Sequence, residues 1–472
     1  MWKKFSELAA RMDDPGLTVR LLVLILLLAA VPRLFLLYRA SDEVFYHNDG
    51  VEYMEISRQL AQGNGFSLSY YRWHEVKPPG AKEGELHTDL ARTPLFPLLG
   101  AGLFFLPWEV TLSAKAVSLV LSLLAVVCVF LLGREIAGRA CGLWSALLFA
   151  FYPYALYYAA SWSTENLFLI TLSLSLVFLV KVLRGHFGAF GWCGFFLGLA
   201  ALTRPTAILL PVLFAGVLWL RFMVFGSLRL NRKRRRWYRT PPAGLLRGCA
   251  VFLLALMLLI LPWMYRNRRV AGSWNPATYY DGYIFWLSFS RIMTETYRTL
   301  DTPEYTKRAQ EVWDEEHEYH LAELRRMGIT EFLPAAEQWR RWGWERIRRS
   351  PRMALGLIWH RFLHYWRMCP NLVVLKPWQI RLIRSYFTVL LALAAAGVWR
   401  MRRRLELPVL LMPVFFGLAV SVPFLFVLRF RFPFFAPYVC VLAGIALAGT
   451  GNYLKYLKKR VPRLKSVCNP EK

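Results

Sequence analysis

The sequence predicts an all-α polytopic membrane protein with about ten transmembrane helices (a range of roughly ten to twelve), juxtamembrane helices and two polar regions on one side of the bilayer. Three observations lead there. The chain has 472 residues, 56% hydrophobic and 16% aromatic, with a mean hydropathy of +0.34. That is more apolar surface than a soluble fold of this length covers. Apolar runs long enough to be spans recur along most of the chain. The basic residues crowd into the connections that lie on one side of those runs.

The expected spans are residues 19–38, 112–132, 140–158, 164–182, 188–203, 206–224, 247–265, 385–400, 407–426 and 433–453. The fifth and eighth are short for a ~30 Å hydrocarbon core. Residues 93–107, TPLFPLLGAGLFFLP, are apolar but brief and broken by proline, so they read as a re-entrant or surface-lying helix. With the amino terminus inside, the segment Arg221 to Arg247 carries nine Lys/Arg and no acid, and RMRRR (400–404) and KYLKKRVPRLK (455–465) fall on the same side. Of the 30 acidic residues, 24 fall on the other. This is the positive-inside pattern. Counting 93–107 as a span would invert it. The formal charge of +29 is therefore assigned to topology and contact with anionic lipid rather than to nucleic acid.

The organisation follows: residues 1–265 as a transmembrane module with a first outer loop at 40–111, 266–384 as an outer helical region, and 385–472 as C-terminal spans with a basic inner tail. The first apolar segment has no small-residue cleavage site and is expected to be an anchor. Most of the seven cysteines lie in or near spans and only Cys369 is clearly outside, so no disulfide framework is expected. Residues 353–368, MALGLIWHRFLHYWRM, include His360, Arg361, His364 and Arg367. Such groups are costly at mid-bilayer, and the segment reads as an amphipathic surface helix.

The stretch HNDGVEYMEISRQLAQGNGFS (47–67) sits just after the first span. Tyr53, Ile56 and Leu60 recur at helical spacing, so a short amphipathic helix is expected at the membrane surface, with Asp49 at its start. Asp49 suits a helix start and equally suits a general base. Glu165, in YYAASWSTENLF, suits the first turn of the fourth span behind Ser163 or Thr164. The helix-start reading leads; the functional one is a second acid facing the same cavity, positioning the acceptor or a metal. Arg92 opens the short apolar helix. Arg204 follows a span in ALTRPTAILLP, Arg266 and Asn267 stand in PWMYRNRRVAG, and Arg429 and Arg431 in LRFRFPFFAP. Arginine recurs in these turns although that side is otherwise acid-rich. Arginine forks suit phosphate oxygens, so the set is read as a site for an anionic group such as a phosphate.

His47, His74, His87 and Asp89 share the first loop, and His317 and His320 lie on one helix. No spacing matches a firm metal motif, and solvated histidines are expected; a divalent metal ion stays open. Walker, Rossmann and nucleophile-elbow patterns are absent from the sequence.

In chain order these motifs are similar to those of a known family. Asp49, Tyr53, Leu60, Gly63, Gly65 and Phe66 come first, then Arg92 to Pro97 as Arg-x-Pro-Leu-x-Pro. There follow GREIAGRACGLWSALLFAFYPYALYYAASWSTENLFL, GLAALTRPTAILLP, PWMYRNRRVAG and RFRFPFFAPYVCVLAG. The set resembles the GT-C glycosyltransferases, in the bacterial branch similar to protein O-mannosyltransferases and the aminoarabinose transferase of lipid A. It covers about residues 20–290 and 385–450.

The resemblance implies a GT-C fold in a bacterial cytoplasmic membrane, with its site on the outer face. It implies transfer of a hexose or pentose from a polyprenyl-phosphate carrier to an envelope glycan, lipid or protein. Asp49 matches the family's base in the first outer loop and Glu165 its later acid. Tyr53, Arg92, Arg204, Arg266, Asn267, Arg429 and Arg431 are expected to bind substrate or carrier phosphate. One departure stands out: Gly50 follows Asp49 where protein mannosyltransferases often have a second acid, which weighs against a protein acceptor and a bound metal. No β-trefoil acceptor domain is expected either.

A phosphate leaving group needs no general acid; it needs a base at the acceptor and fixed positive charge. A transporter or flippase for a lipid-linked sugar is the rival class. It would use the same arginines but would more often place charges or broken helices in mid-membrane. A structural subunit of an envelope assembly would leave the arginines unexplained.

Overall fold

The computed structural model describes residues 14–47, 49–227, 242–299, 302, 305–369, 375–404, 406–424 and 428–449. Helix α1 (Pro15–Arg39) is started by Asp14, whose carboxylate accepts from the Leu17 amide at 2.8 Å, with proline in its first turn. A one-turn α2 (Asp42–Phe45) and α3 (Asp49–Ala61) follow. Two-residue strands β1 (Ser67–Leu68) and β2 (His87–Thr88) pair antiparallel and gather the first polar loop. Next come α4 (Leu95–Ala101), which continues as a 3-10 turn through Gly102–Phe105, and α5 (Val110–Ala137).

The third expected span is broken. α6 (Arg139–Ala150) and α7 (Pro153–Ala159) meet at 65°. Tyr152 precedes proline and takes an extended conformation, which ends the first helix. Then come α8 (Glu165–Leu183), α9 (Ala189–Thr203), the 3-10 turn Pro205–Leu209 leading into α10 (Leu210–Ser227), and α11 (Pro242–Ala271). The second polar region holds α12 (Asp281–Ser288), α13 (Arg291–Thr299), α14 (Tyr305–Arg326), α15 (Phe332–Arg349) and α16 (Pro351–Tyr365). The described chain closes with α17 (Pro377–Met401), α18 (Leu407–Ser421) and α19 (Leu428–Ala448).

The chain is an all-α, multi-pass membrane protein. Among the described residues six helices are long and apolar enough to cross a bilayer, or seven if the bent α6–α7 pair counts as one. The remaining expected spans coincide with shorter apolar helices: α9, the stretch Pro205–Trp219, and α18. The 15 residues of α9 rise only about 22 Å, as its short apolar run implied. The eighth is longer than expected, because α17 starts at Pro377. Residues 93–107 form the short α4 and its 3-10 turn, with Phe96, Pro97 and Gly100 buried. Residues 228–241, most of the basic connection, and the 455–465 tail lie outside the described residues.

One apolar core runs from Ile25 in α1 to Ala448 in α19, so the N-terminal and C-terminal spans pack together. The apolar window of α19 is 89% buried, against 22% for α1, α11 and α17. The last three therefore turn broad apolar faces outward, as lipid-facing helices do. A second cluster joins Tyr283, Trp286, Leu324 and Trp339 of the second polar region to Val76 of the first loop. The two polar regions thus meet.

In α16, Leu355, Trp359 and Leu363 are exposed on one side, while Arg361 is buried and donates to the Pro423 carbonyl at 3.2 Å. One buried charge was not anticipated. Arg33 in α1 donates to the Ala150 carbonyl at 2.9 Å, to Ala29 at 2.7 Å and to the Ser122 hydroxyl at 2.8 Å. It thereby satisfies a carbonyl freed where α6 breaks. The six described cysteines are free.

Candidate active site

Position of the first carboxylate is set by a close approach. The Phe45 carbonyl accepts from the Trp162 amide at 2.9 Å, so α2 is tied to the loop that leads into α8. A Cβ on Gly50 would stand 2.9 Å from the Trp162 carbonyl oxygen. Only glycine lets the first turn of α3 lie on this loop. That explains the departure noted above, since a second acid after Asp49 has no room. The buried face of α3 carries Tyr53 and Ile56, and Tyr53 meets Phe96 of α4 edge-on at 5.2 Å. The expected amphipathic helix is therefore real, and its apolar side is covered by α4.

Asp49 and Glu165 both open helices, where the backbone amides favour negative charge. Neither carboxylate is spent on capping alone. Asp49 Oδ1 accepts from Arg92 Nη2 at 2.8 Å, and Oδ2 from Arg429 Nη1 at 2.8 Å. Arg429 also holds Glu165, through Nε to Oε1 and through Nη2 to Oε2 at 3.3 Å. Glu165 Oε1 is shared with Arg204 Nη1 at 3.3 Å. On the other side, Arg92 Nε reaches Glu52 Oε2 at 2.9 Å, and Arg72 Nε reaches the same oxygen at 2.6 Å. Arg72 continues to Glu75 at 2.8 Å and to Asp89. Charges alternate from Arg204 to Asp89 without a like-signed direct neighbour. Every member has at least one opposite partner, which is what makes such burial tolerable.

The chain of ion pairs is drawn from distant segments. The Thr93 hydroxyl donates to the Thr203 carbonyl at 2.8 Å, which ties the Arg92 turn to the end of α9, where Arg204 follows. Arg92 is also stacked between the Tyr53 and Tyr280 rings, at 5.3 and 5.4 Å. Arg204 lies over Phe430 at 5.2 Å. Asp49 is the more open of the two carboxylates, with 31% of its side chain exposed against 0% for Glu165. Burial alone would raise the Asp49 pKa, but the Arg92 and Arg429 guanidiniums outweigh it and hold the carboxyl well below the usual range. For Arg92, burial acts to lower the pKa, and Asp49 and Glu52 more than reverse it.

Of the residues expected to bind substrate, the structure brings Asp49, Tyr53, Arg92, Arg204, Glu165 and Arg429 together. It does not bring the others there. Arg431, two residues past Arg429, turns away and gives its Nη1 to the carbonyls of Tyr365 and Arg367. Arg266 donates to the Asp89 carbonyl at 2.6 Å and lies over Trp263 at 4.8 Å. Asn267 donates to the Asn275 carbonyl at 2.8 Å. These residues hold backbone around the site. Glu52 and Arg72 were not singled out as site residues by the sequence. Glu52 stands one turn from Asp49, a usable signal, but nothing local marks Arg72.

The expectation of solvated histidines is corrected for two of them. His74 and His317 are buried among aromatic rings, His74 stacking on Tyr283 at 4.6 Å and His317 on Trp339 at 5.9 Å. Among the described residues no group of three His, Cys, Asp or Glu is placed to hold a metal ion. A hollow of about 370 Å³ lies against Val51, Met54, Glu55 and Arg58 of α3, on the face away from Asp49.

The chain shares its fold with membrane glycosyltransferases of known structure, and part of it matches a glycosyltransferase family model. Residues 91–265 match the family model described as dolichyl-phosphate-mannose-protein mannosyltransferase. The oligosaccharyltransferase of Archaeoglobus fulgidus, tethered to an acceptor peptide, aligns over 95% of this chain and 51% of its own at 14% identity, with a TM-score of 0.53. Its apo form aligns over 94% and 51% at 13% identity, with a TM-score of 0.51. ArnT from Cupriavidus metallidurans bound to undecaprenyl phosphate aligns over 95% and 81% at 15% identity, with a TM-score of 0.38. The chain spans about half the length of the archaeal enzyme. No curated protein matches it in sequence.

Proposed function

We propose that this protein transfers a sugar from a polyprenyl-phosphate carrier to a hydroxyl of an envelope glycan, lipid or protein, at the outer face of a bacterial cytoplasmic membrane. The observation that carries the reading is Asp49 held between Arg92 and Arg429 beside the first transmembrane helix, with Arg204 behind. A carboxylate and three guanidiniums are the parts needed for such a transfer. The family model matched by residues 91–265 is described for a dolichyl-phosphate sugar donor, which supports a polyprenyl-phosphate carrier.

In the reaction the acceptor oxygen attacks the anomeric carbon and its proton passes to Asp49. The bond from that carbon to the phosphate oxygen breaks, and the electron pair leaves with polyprenyl phosphate, whose added charge the arginines balance. Attack opposite the leaving group inverts the anomeric configuration. In the unliganded protein the arginines make Asp49 a weak base. A carrier phosphate competing for Arg92 and Arg429 frees the carboxylate and raises its basicity, so the base is strengthened as the donor is bound. Glu165, fully buried between Arg429 and Arg204, positions these arginines rather than receiving the proton.

The test uses wild-type and Asp49→Asn protein in proteoliposomes, radiolabelled polyprenyl-phosphate hexoses and pentoses, and total envelope extract as acceptor. The expected result is release of polyprenyl phosphate by wild type, and transfer lowered about 10²–10⁴-fold in Asp49→Asn. Full transfer by Asp49→Asn removes the base assignment. Lipid-sugar translocation across the bilayer without release by either protein replaces the transferase with a flippase.

A further inference from the structure

The second polar region and the first loop enclose a cleft of about 590 Å³ that adjoins the ion-pair site through Arg72 and Glu75. One wall is the loop from Ser69 to Gly84 and the other is α14. We propose that this cleft binds the sugar rings of a glycan acceptor, with the chain running inward toward Asp49. The proposal rests on the transferase reading and adds the class of acceptor to it.

Three features of the cleft fit a saccharide. It offers aromatic surface: the Trp73 and Trp313 rings lie with centroids 4.5 Å apart and planes tilted by 56°, and Tyr70 and Tyr71 extend the lining. Trp73 remains 45% exposed despite these neighbours, so part of the side chain is open to a ligand. Sugars present C–H faces that stack on such rings. The cleft also offers planar hydrogen-bonding groups at its edge, Gln310, Asp314 and Glu318, spaced to share one face of α14. Two-pronged groups of this kind suit neighbouring hydroxyls.

The third feature is charge. Four basic and four acidic side chains line the cleft, so it has no net field to select an anion or a cation. An uncharged polyhydroxyl chain matches a balanced, aromatic-walled cleft; a phosphorylated headgroup would meet its acids unpaired.

Continuity with the site gives the direction. Arg72 lines the cleft and is also the partner of Glu52, which pairs with Arg92, which pairs with Asp49. A glycan filling the cleft ends against the same row of ion pairs that holds the base. It also spans both polar regions, whose aromatic residues are already packed together there.

The test is retention of purified, fluorescently tagged full-length protein on a printed glycan array that also carries unglycosylated peptides. Variants are Asp49→Asn, Trp313→Ala and the exposed pair Gln310→Ala with Glu318→Ala. Wild type and Asp49→Asn are expected to retain the same glycans. Trp313→Ala and the paired variant are expected to bind them about tenfold more weakly, with thermal unfolding of the paired variant unchanged. Retention of no glycan, of peptides alone, or of glycans equally by all variants overturns the proposal. If wild type retains glycans through the cleft yet releases no polyprenyl phosphate from any donor, the cleft assignment stands and the transferase reading falls.

Discussion

Arg72 and His74 lie two residues apart in the first loop, yet they are buried in opposite ways. Arg72 enters the ion-pair site, where Glu52, Glu75 and Asp89 surround its guanidinium. His74 enters the aromatic cluster, where neither ring nitrogen has a hydrogen-bond partner; its ring neighbours are Tyr280, Tyr283 and Trp73, with Glu75 3.9 Å from Nε2. The first region keeps its polar groups charged by pairing them. The second keeps its buried imidazoles, His74 and His317, neutral. The pairing costs conformational freedom and demands every partner, whereas the neutral cluster demands only that protons stay away. The contrast makes the two regions breakable by different means.

The largest effect is expected from Arg429→Ala. It removes one of the two arginine partners of Asp49 and of the fully buried Glu165, leaving only Arg92 and Arg204 to hold them, and breaking a buried pair costs about 3–5 kcal/mol. Thermal unfolding in detergent at neutral pH should show a large loss, and transfer should disappear. Arg429→Lys keeps one charge but not the fork, so it should recover much of the stability and little of the activity. A stable, active Arg429→Ala would mean that the two carboxylates are not joined through this residue.

This bridging was only partly legible. Hydropathy placed the spans because burial in lipid imposes long apolar runs, and each expected span coincides with a helix. Asp49, Glu165, Arg92, Arg204 and Arg429 stood out as charges at the ends of such runs. Arg429 and Arg431 were equal candidates in sequence. Positions two apart on a helix point to different sides, so only one of them faces Asp49, but the sequence does not say which. Arg72 had no periodic or turn signal, and its role depends on a loop fold fixed by remote contacts. The aromatic cluster was hidden for the same reason, since His74 and His317 are buried only by residues far away in sequence.

Acid should distinguish the regions next. Burial lowers His74 to about 3 and His317 to about 4. Both folded values lie below the unfolded value of 6.5. The unfolded state therefore binds more protons, and stability is full above pH 6.5 and falls as pH drops toward the folded values. Between pH 7 and pH 4.5 His74 alone should remove about 2.5 kcal/mol. Over the same range Asp49 stays ionised, so its ion pairs remain. His74→Phe loses no hydrogen bond and should flatten the unfolding curve against pH. An unchanged pH dependence would place the acid-sensitive group elsewhere.

Gly50→Ala probes the joint between α3 and α8. The added methyl meets the Trp162 carbonyl oxygen at 2.9 Å, and overpacking of this kind costs about 1–3 kcal/mol. Because the strain moves Asp49 away from Arg429 and Glu165, activity should fall by more than unfolding alone accounts for at a temperature where both proteins are folded. Equal activity per folded molecule would show that the site tolerates a shift of α3.

The smallest effect sharpens the comparison because it uses the same chemistry in a different setting. Arg340 of α15 pairs with Asp281 of α12 at 2.8 Å, a separation equal to that between Arg429 and Asp49. Distance therefore does not separate the two pairs; surroundings do. Arg340 and Asp281 are about half exposed, so water and salt screen them and ordering two long side chains offsets most of the attraction. Arg340→Ala should cost under about 0.5 kcal/mol, and the loss should shrink further in high salt. The Arg429→Ala loss should persist in high salt, because Glu165 is out of reach of solvent. If the two variants lost stability alike and with the same salt dependence, the site would be an ordinary solvated surface, and the argument that carrier phosphate must compete for its arginines would lose its basis.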